Sequence, residues 1–583
     1  MELENLSVKD LKKLNYEELN DLSKKMKEFM IESTSKTGGH IGANLSSLEI
    51  SIALHKIFDS PNDKFLFDVG HQAYAHKIIT GRANNFKNLN TYKGMARFVE
   101  RREGEHDVID VSHAGTSIPI AIGMAKSFYD NKKNSFAIAI IGDGCLVEGM
   151  SFEGLNYGVQ EDFPLIIVLI DNSFAIAPNV GGILKLTSGN DWQEKSKSYF
   201  EGLGYNYFSE PDGHNIKKLS EKLEEVKKIK KPSVFHIKTI KGNGLKIAEK
   251  HPYRMHYSSP FNRNTGDGAN PSVTGKTYAG EGANEISKLM KDNKNLYVIT
   301  PATPYSNNLD DIIKDFPQRA FDVGMAEQQA VGMAVGLALE KKNVFVCFQS
   351  TFMQRSFDQI YHDACCMNLP ITFLVARTGF AGYDSPTHHG LMDLSYLRSI
   401  PNLKIYFPGD TKDLRQIIRE RATKPDGPMV ILHQYEPISE PEKFIKDYNS
   451  HGITNYSKGE DGCIVVPGNV LSTAINLKEL LKKNIKKDFS IEIIRSIKPM
   501  PEKNLKQIIE NNQNIITIEQ NTLLGGLGSA ILEIQNKFNL KTNIFRFGTP
   551  DIFVNAGNDK ECTLETKIDS KSIFDEIKNK ILS

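Results

Sequence analysis

The sequence predicts an α/β protein of three doubly wound domains with mainly parallel sheets. Three observations predict it. Short apolar runs of strand length alternate with helix-like segments along nearly the whole chain. Those runs are continuously apolar, as strands covered on both faces are. Two polar stretches divide the alternation into blocks. A chain of 583 residues is also too long for one core.

Residues 18–58 read as helical, with apolar positions at helical spacing through "LEISIALHKIF". The strand-like runs "FLFDVG", "SFAIAIIGDG", "PLIIVLIDN" and "SVFHIKTI" follow, separated by helices. A polar, Gly/Asn/Ser-rich stretch from about His251 to Thr277 is expected to be an interdomain linker. A second alternation runs through "LYVIT", "AFDVG", "NVFVCFQS", "PITFLVAR", "LKIYFPG" and "PMVILHQ". A second polar stretch, "EPISEPEKFIKDYNSHGITNYSKGEDG", precedes a third alternation: "CIVVPG", "FSIEIIRSI", "NIITIEQ" and "TNIFRFG". The expected domains are 1–275, 276–440 and 441–583.

Composition narrows the function classes. A net charge of +1 gives no bulk electrostatic case for nucleic acid or an anionic membrane. The longest apolar runs are far short of a membrane span, and "MELENLSVKDLKK" lacks the apolar core of a signal peptide. The six cysteines form no C-x-x-C pair and read as free thiols of a reducing cytosol. A cytoplasmic protein is expected.

The run "AIAIIGDGCLVEGMSFEGLNYG" ends an apolar strand on Gly142, Asp143 and Gly144. In open parallel sheets, ligands sit beyond the carboxyl ends of strands. The next strand-like run ends in Asp171 and Asn172. If the two strands lie close, Asp143 and Asn172 oxygens can share one cation, and the glycines let the backbone approach a phosphate. A few oxygen ligands suit Mg²⁺ that completes its octahedron with phosphates and water. A Gly-Asp-Gly turn and an unrelated Asp-Asn turn would give the same residues.

The second block carries "FDVGMAEQQAVGMAVGLAL", where Glu327 opens an apolar helix. A carboxylate there is favoured by the helix dipole alone. A buried carboxyl at such a place is also what thiamine chemistry uses to hydrogen-bond an aminopyrimidine, and low polarity favours its proton-sharing form. Phe352, in "STFMQRSFDQI", is an aromatic that can stack on a pyrimidine or simply fill core.

Taken in order, "GGHIGANLSSLEISIALH", "DVGHQAYAHKIITGR", "VSHAGTSI", "IGDGCLVEGMSFEGLNYG", "FDVGMAEQQAV", "STFMQRSFDQIYHDACCMNLP", "TGFAGYDSPTHHGLMDLSYLRSIPNL" and "IEQNTLLGGLGSAILE" resemble the 1-deoxy-D-xylulose-5-phosphate synthase family. This is the pyruvate-using branch of the transketolase superfamily. The resemblance runs from about residue 35 to near the end. It implies the transketolase-like fold: a diphosphate- and Mg-binding domain, an aminopyrimidine-binding domain and a transketolase C-terminal-like domain. It implies a homodimer using thiamine diphosphate and Mg²⁺, which decarboxylates pyruvate and joins the two-carbon unit to glyceraldehyde 3-phosphate, in isoprenoid and thiamine biosynthesis. On matching positions, Asp143, Asn172 and the Phe174 carbonyl would hold Mg²⁺, and Glu327 and Phe352 would meet the aminopyrimidine. His40 and His256 would lie near pyruvate. His71, His113, Gly142, Gly144 and Lys241 would line the cofactor. Arg355, Arg377, Asp384 and His388 would form the acceptor side, with His388 catalytic.

The chain departs from the family pattern in four places. Ala376 stands where the family usually has Asp, and Gln349 where it has Tyr. Tyr435 falls where a phosphate-binding Arg is usual, and the segment after "APNVGG" is shorter. A Tyr hydroxyl is a weaker, neutral donor than a bidentate guanidinium. A different aldehyde or sugar acceptor, or a transketolase donor, therefore stands as an alternative. A catalytically silent scaffold is opposed by the intact Asp143, Asn172 and Glu327.

Overall fold

The computed structural model describes residues 2–268, 277–434, 438 and 452–582. Both expected domain boundaries, and Tyr435, lie outside the described residues. The chain forms two compact units, residues 1–272 with 323–326, and residues 273–322 with 327–583.

In the first unit the strands Lys64–Phe67, Ala137–Gly142, Leu165–Asp171, Ser233–Lys238 and Asn206–Glu210 lie side by side in that order, all parallel. Leu165–Asp171 is buried along its whole length, as its unbroken apolar run requires of a central strand. Asn206–Glu210 was not legible as a strand. It is the sheet's edge, and its "NYFSE" sequence is mostly half-exposed.

The expected helix over 18–58 is two helices, Tyr16–Thr37 and Ile41–Ile57. The break is Gly38–Gly39, at φ +75° and +144°, where a Cβ would stand 2.6 Å from the Ser258 carbonyl and 2.6 Å from the Tyr74 hydroxyl respectively. Glycine alone meets both demands. The break places His40 at the head of the second helix.

The linker expected from His251 is corrected over its described part. Residues 251–268 belong to the first unit. Met255 and Phe261 are buried there, and Gly39 and Ser258 exchange backbone hydrogen bonds of 2.8 and 2.9 Å. The polar composition of the stretch concealed these two apolar anchors.

The second unit contains two sheets. One has the order Ser496–Lys498, Lys404–Tyr406, Met429–Gln434, Ile371–Thr378, Asn343–Gln349, Leu296–Thr300, Ala320–Asp322, with only Ser496–Lys498 antiparallel. The other has the order Ile453–Ser457, Ser490–Ile494, Cys463–Val466, Asn514–Thr522, Asn543–Thr549, with Ile453–Ser457 as an antiparallel edge. That edge strand comes from the second polar stretch. Its outer residues face water, so its sequence carries no apolar run. Among the described residues no helix is long and apolar enough to cross a membrane. The six cysteines are free, and all but Cys366 are buried.

Candidate active site

In the first unit, Ala137–Gly142 and Leu165–Asp171 are neighbours, with Gly142 registered against Ile170. Asp143 and Asn172 therefore leave adjacent carboxyl ends, as a shared ligand requires. Asp143 is buried, and its Oδ2 accepts from the Ser173 N–H (2.8 Å) and from Asn179 Nδ2 (2.6 Å). Its Oδ1 is buried without a hydrogen-bond partner. Burial and the neighbouring Asp171 push the Asp143 carboxyl well above the usual carboxylate range. Burial would raise Asp171 too, but His236 at 2.9 Å and Lys238 at 2.6 Å hold it low. One carboxylate is thus compensated and its neighbour is not. That is the electrostatic demand a bound divalent cation satisfies.

The loop after Asn172 supports the same reading. Ser173 is left-handed at φ +66°, and the Phe174 N–H donates to Asn172 Oδ1 at 3.2 Å. Lys241 Nζ donates to the Ala175 carbonyl at 2.6 Å and lies over the Phe174 ring at 5.2 Å. Burial lowers the Lys241 ammonium to about 7, against the pull of Asp143. The glycines divide their roles. A Cβ on Gly144 would come within 2.6 Å of Ala175, so the chain's own loop needs that glycine, whereas nothing lies within 4 Å of a Cβ on Gly142. Among the described residues no cluster of His, Cys, Asp or Glu surrounds a metal position. A site of one carboxylate with amide and main-chain oxygens suits a hard cation that keeps water and phosphate ligands.

Three predicted histidines meet in this unit. The His40 ring is 5.3 Å from His71 and 5.5 Å from His256, and His71 and His256 are 5.3 Å apart. Burial, with Lys241 nearby, lowers His71 to about 3 and His256 well below its usual value. Both are neutral imidazoles at neutral pH, able to donate one hydrogen bond and accept another. Asn44 fixes the cluster. Its amide donates to the carbonyls of His40 (2.8 Å) and His71 (2.7 Å) and accepts from the Tyr74 N–H (2.7 Å). His113 lies in a turn held by Asp68, which accepts from the N–H groups of Gly115 (2.9 Å) and Ser117 (3.0 Å).

In the second unit Glu327 is buried at the first turn of the helix Glu327–Leu339. Phe352 is half-buried and meets His388 edge-on at 5.7 Å. His388 is buried, with Nδ1 2.8 Å from Ser385 Oγ. Arg377 is buried and left-handed at φ +66°. Its guanidinium donates to Gln349 Oε1 (3.1 Å), to the Ala381 carbonyl (2.8 Å) and to Asp384. Arg355 lies in the half-buried turn Gln354–Ser356, just beyond Phe352.

Sequence reasoning missed Asn44, Asp68, Asn179, His236 and the Gln349–Arg377 contact. Asp68 carried the same signal as Asp143, a polar residue ending an apolar strand. Asn44 is a lone polar residue in an apolar helix. The others act through tertiary neighbours and carried no local signal.

A family model described as 1-deoxy-D-xylulose-5-phosphate synthase matches residues 3–199 and 187–239. The transketolase pyrimidine binding domain matches 277–435, and the transketolase C-terminal domain 453–573. The chain is 37% identical over 613 aligned residues to 1-deoxy-D-xylulose-5-phosphate synthase of Geobacillus sp. (strain WCH70), covering 97% of both chains. It is 36% identical to the enzyme of that name from Alkaliphilus oremlandii (strain OhILAs), covering 98% of both. Among solved structures, a transketolase from Campylobacter jejuni is 16% identical with a TM-score of 0.45, over 97% of this chain and 100% of that one. By motif order, strand-end geometry and near-complete coverage of these relatives, the chain belongs to the 1-deoxy-D-xylulose-5-phosphate synthase family of transketolase-type transferases.

Proposed function

We propose that the protein decarboxylates pyruvate and condenses the two-carbon unit with glyceraldehyde 3-phosphate to give 1-deoxy-D-xylulose 5-phosphate, for isoprenoid synthesis. The observation that carries this reading is the full-length family match, supported by the uncompensated Asp143 carboxylate. Thiamine diphosphate, when bound, supplies a thiazolium that accepts the electron pair left as carbon dioxide departs.

The chain's residues do the rest. Asp143, Asn172 and the Phe174 carbonyl would hold Mg²⁺, and the open space at Gly142 would admit a diphosphate. Lys241, His71 and His113 line the cofactor. Glu327, buried at its helix start, would hydrogen-bond the aminopyrimidine, and Phe352 would pack near that ring. His40 and His256 orient pyruvate, and the neutral His256 imidazole does so without drawing the carboxylate into an ion pair that would oppose loss of carbon dioxide. Arg377 and Arg355 bind the acceptor phosphate, while Asp384 and His388 hold and move protons at the acceptor aldehyde and its neighbouring hydroxyl.

A second reading, a different aldehyde acceptor, is favoured by one observation: Gln349 and Ala376, two of the departures from the family pattern, are register partners in adjacent strands. The domain boundaries proposed are 1–275, 276–440 and 441–583. A homodimer is supported by the exposed Ile120, Met150, Phe152 and Tyr157 on the packed helices Ser117–Asp130 and Gly149–Tyr157. The reading is tested by carbon dioxide release from carboxyl-labelled pyruvate. Release should require thiamine diphosphate and Mg²⁺ and should rise on adding the triose phosphate. Release indifferent to the triose phosphate would favour the second reading, and no release would refute both.

A further inference from the structure

Gln349 ends the strand Asn343–Gln349, opposite Ala376 of Ile371–Thr378. It is buried, and both ends of its amide are used. Oε1 accepts from Arg377 NH1 at 3.1 Å, and Nε2 donates to Ser306 Oγ at 2.5 Å. The orientation of the amide is fixed by chemistry, because a guanidinium has only donors and must face the carbonyl oxygen. Ser306 belongs to the short turn Tyr305–Asn307, so the amide ties the guanidinium to a neighbouring turn.

Arg377 itself is set under constraint. Its backbone is in the left-handed region, which non-glycine residues adopt at a cost. Its charge is shared with Asp384, and the Ala381 carbonyl takes another N–H. A second carboxylate at position 349 would cancel more of the guanidinium's attraction for an anion. A neutral carbonyl fixes the group without doing so.

We propose that Gln349 is a positioning residue for acceptor recognition: it holds the Arg377 guanidinium in place for an anionic phosphate on the aldehyde while leaving the guanidinium its positive charge. This rests on the reading of Arg377 as a phosphate-binding group.

The test is steady-state kinetics of the holoenzyme with thiamine diphosphate and Mg²⁺, comparing glyceraldehyde 3-phosphate with unphosphorylated glyceraldehyde. Gln349→Ala should raise KM for the triose phosphate about tenfold, the scale of one hydrogen bond to a charged group. Gln349→Glu should raise it further. KM for pyruvate, and the kinetics with glyceraldehyde, should stay unchanged for both variants. Ser306→Ala, which removes only the far anchor, should move the same constant in the same direction by less, and it serves if Gln349→Ala fails to fold. A common loss of kcat on both acceptors, or Gln349→Glu matching wild type on the triose phosphate, would overturn the proposal. Arg377→Met separates the two layers. If it leaves KM for the triose phosphate unchanged, the reading of Arg377 fails. If it raises that KM while the Gln349 and Ser306 variants do not, the positioning role alone fails.

Discussion

The two ends of the candidate machinery solve opposite electrostatic problems. In the first unit, two buried carboxylates stand side by side. Asp171 is compensated by His236 and Lys238, and Asp143 keeps one oxygen without a partner. In the second unit, the buried Arg377 guanidinium is held by a carboxylate, a main-chain carbonyl and an amide. On the roles proposed above, an end that holds a resident metal can leave a charge open for it. An acceptor end that binds and releases a substrate at each turnover keeps its cation partly compensated, so that charge is not left stranded in the interior.

The largest effect expected is at Glu327. Glu327→Ala should lower turnover by about a thousandfold, the range for a lost acid–base group, with an unchanged circular dichroism spectrum. A rate within a few fold of wild type would remove the thiamine mechanism. Next is Asp143→Asn. Because the native carboxylate is uncompensated, the variant should melt higher than wild type without cofactor, yet lose the thermal stabilisation that Mg²⁺ and thiamine diphosphate give the native protein. A variant that melts lower without cofactor would break the contrast drawn above. For the homodimer proposed above, Phe152→Asp should lower the mass seen by light scattering to that of one chain, since it charges an exposed apolar helix face, and an unchanged mass would exclude this face as the interface.

The smallest effect concerns Asp393, a buried carboxylate beneath the start of the Phe352 segment. Ser350 Oγ donates to it at 2.8 Å, and burial pushes it up to about 7. The folded state therefore holds a proton that the unfolded chain releases near pH 4. Stability falls as pH rises from there to about 7. Asp393→Asn removes this dependence and should raise Tm at pH 8 relative to pH 4.5 by about 2 °C or more. Parallel Tm–pH curves for variant and wild type would contradict the assignment.

The sequence marked Asp143 and Asn172 because their signal is local: an apolar run stops, and a polar residue stands at the strand's end. Asp143 and Asn172 needed only one tertiary fact, the adjacency of their strands, and the sheet order provides it. The acceptor end was less legible. Gln349 stood out only as a departure from the family pattern, and its hydrogen bond to Arg377 depends on strand register, which the sequence does not state. Edge strands such as Asn206–Glu210 and Ile453–Ser457 were missed because half-exposed strands lack the unbroken apolar run that marks a central one. The stretch after His251 was misread because its composition is polar while Met255 and Phe261 anchor it.

The most direct test of the central claim is product identification by nuclear magnetic resonance, with labelled pyruvate and equal concentrations of glyceraldehyde 3-phosphate and glyceraldehyde. A charge-bearing Arg377 predicts 1-deoxy-D-xylulose 5-phosphate in excess of about a hundredfold over the unphosphorylated product, the scale of a charge-assisted phosphate contact. Comparable amounts of the two products would contradict it.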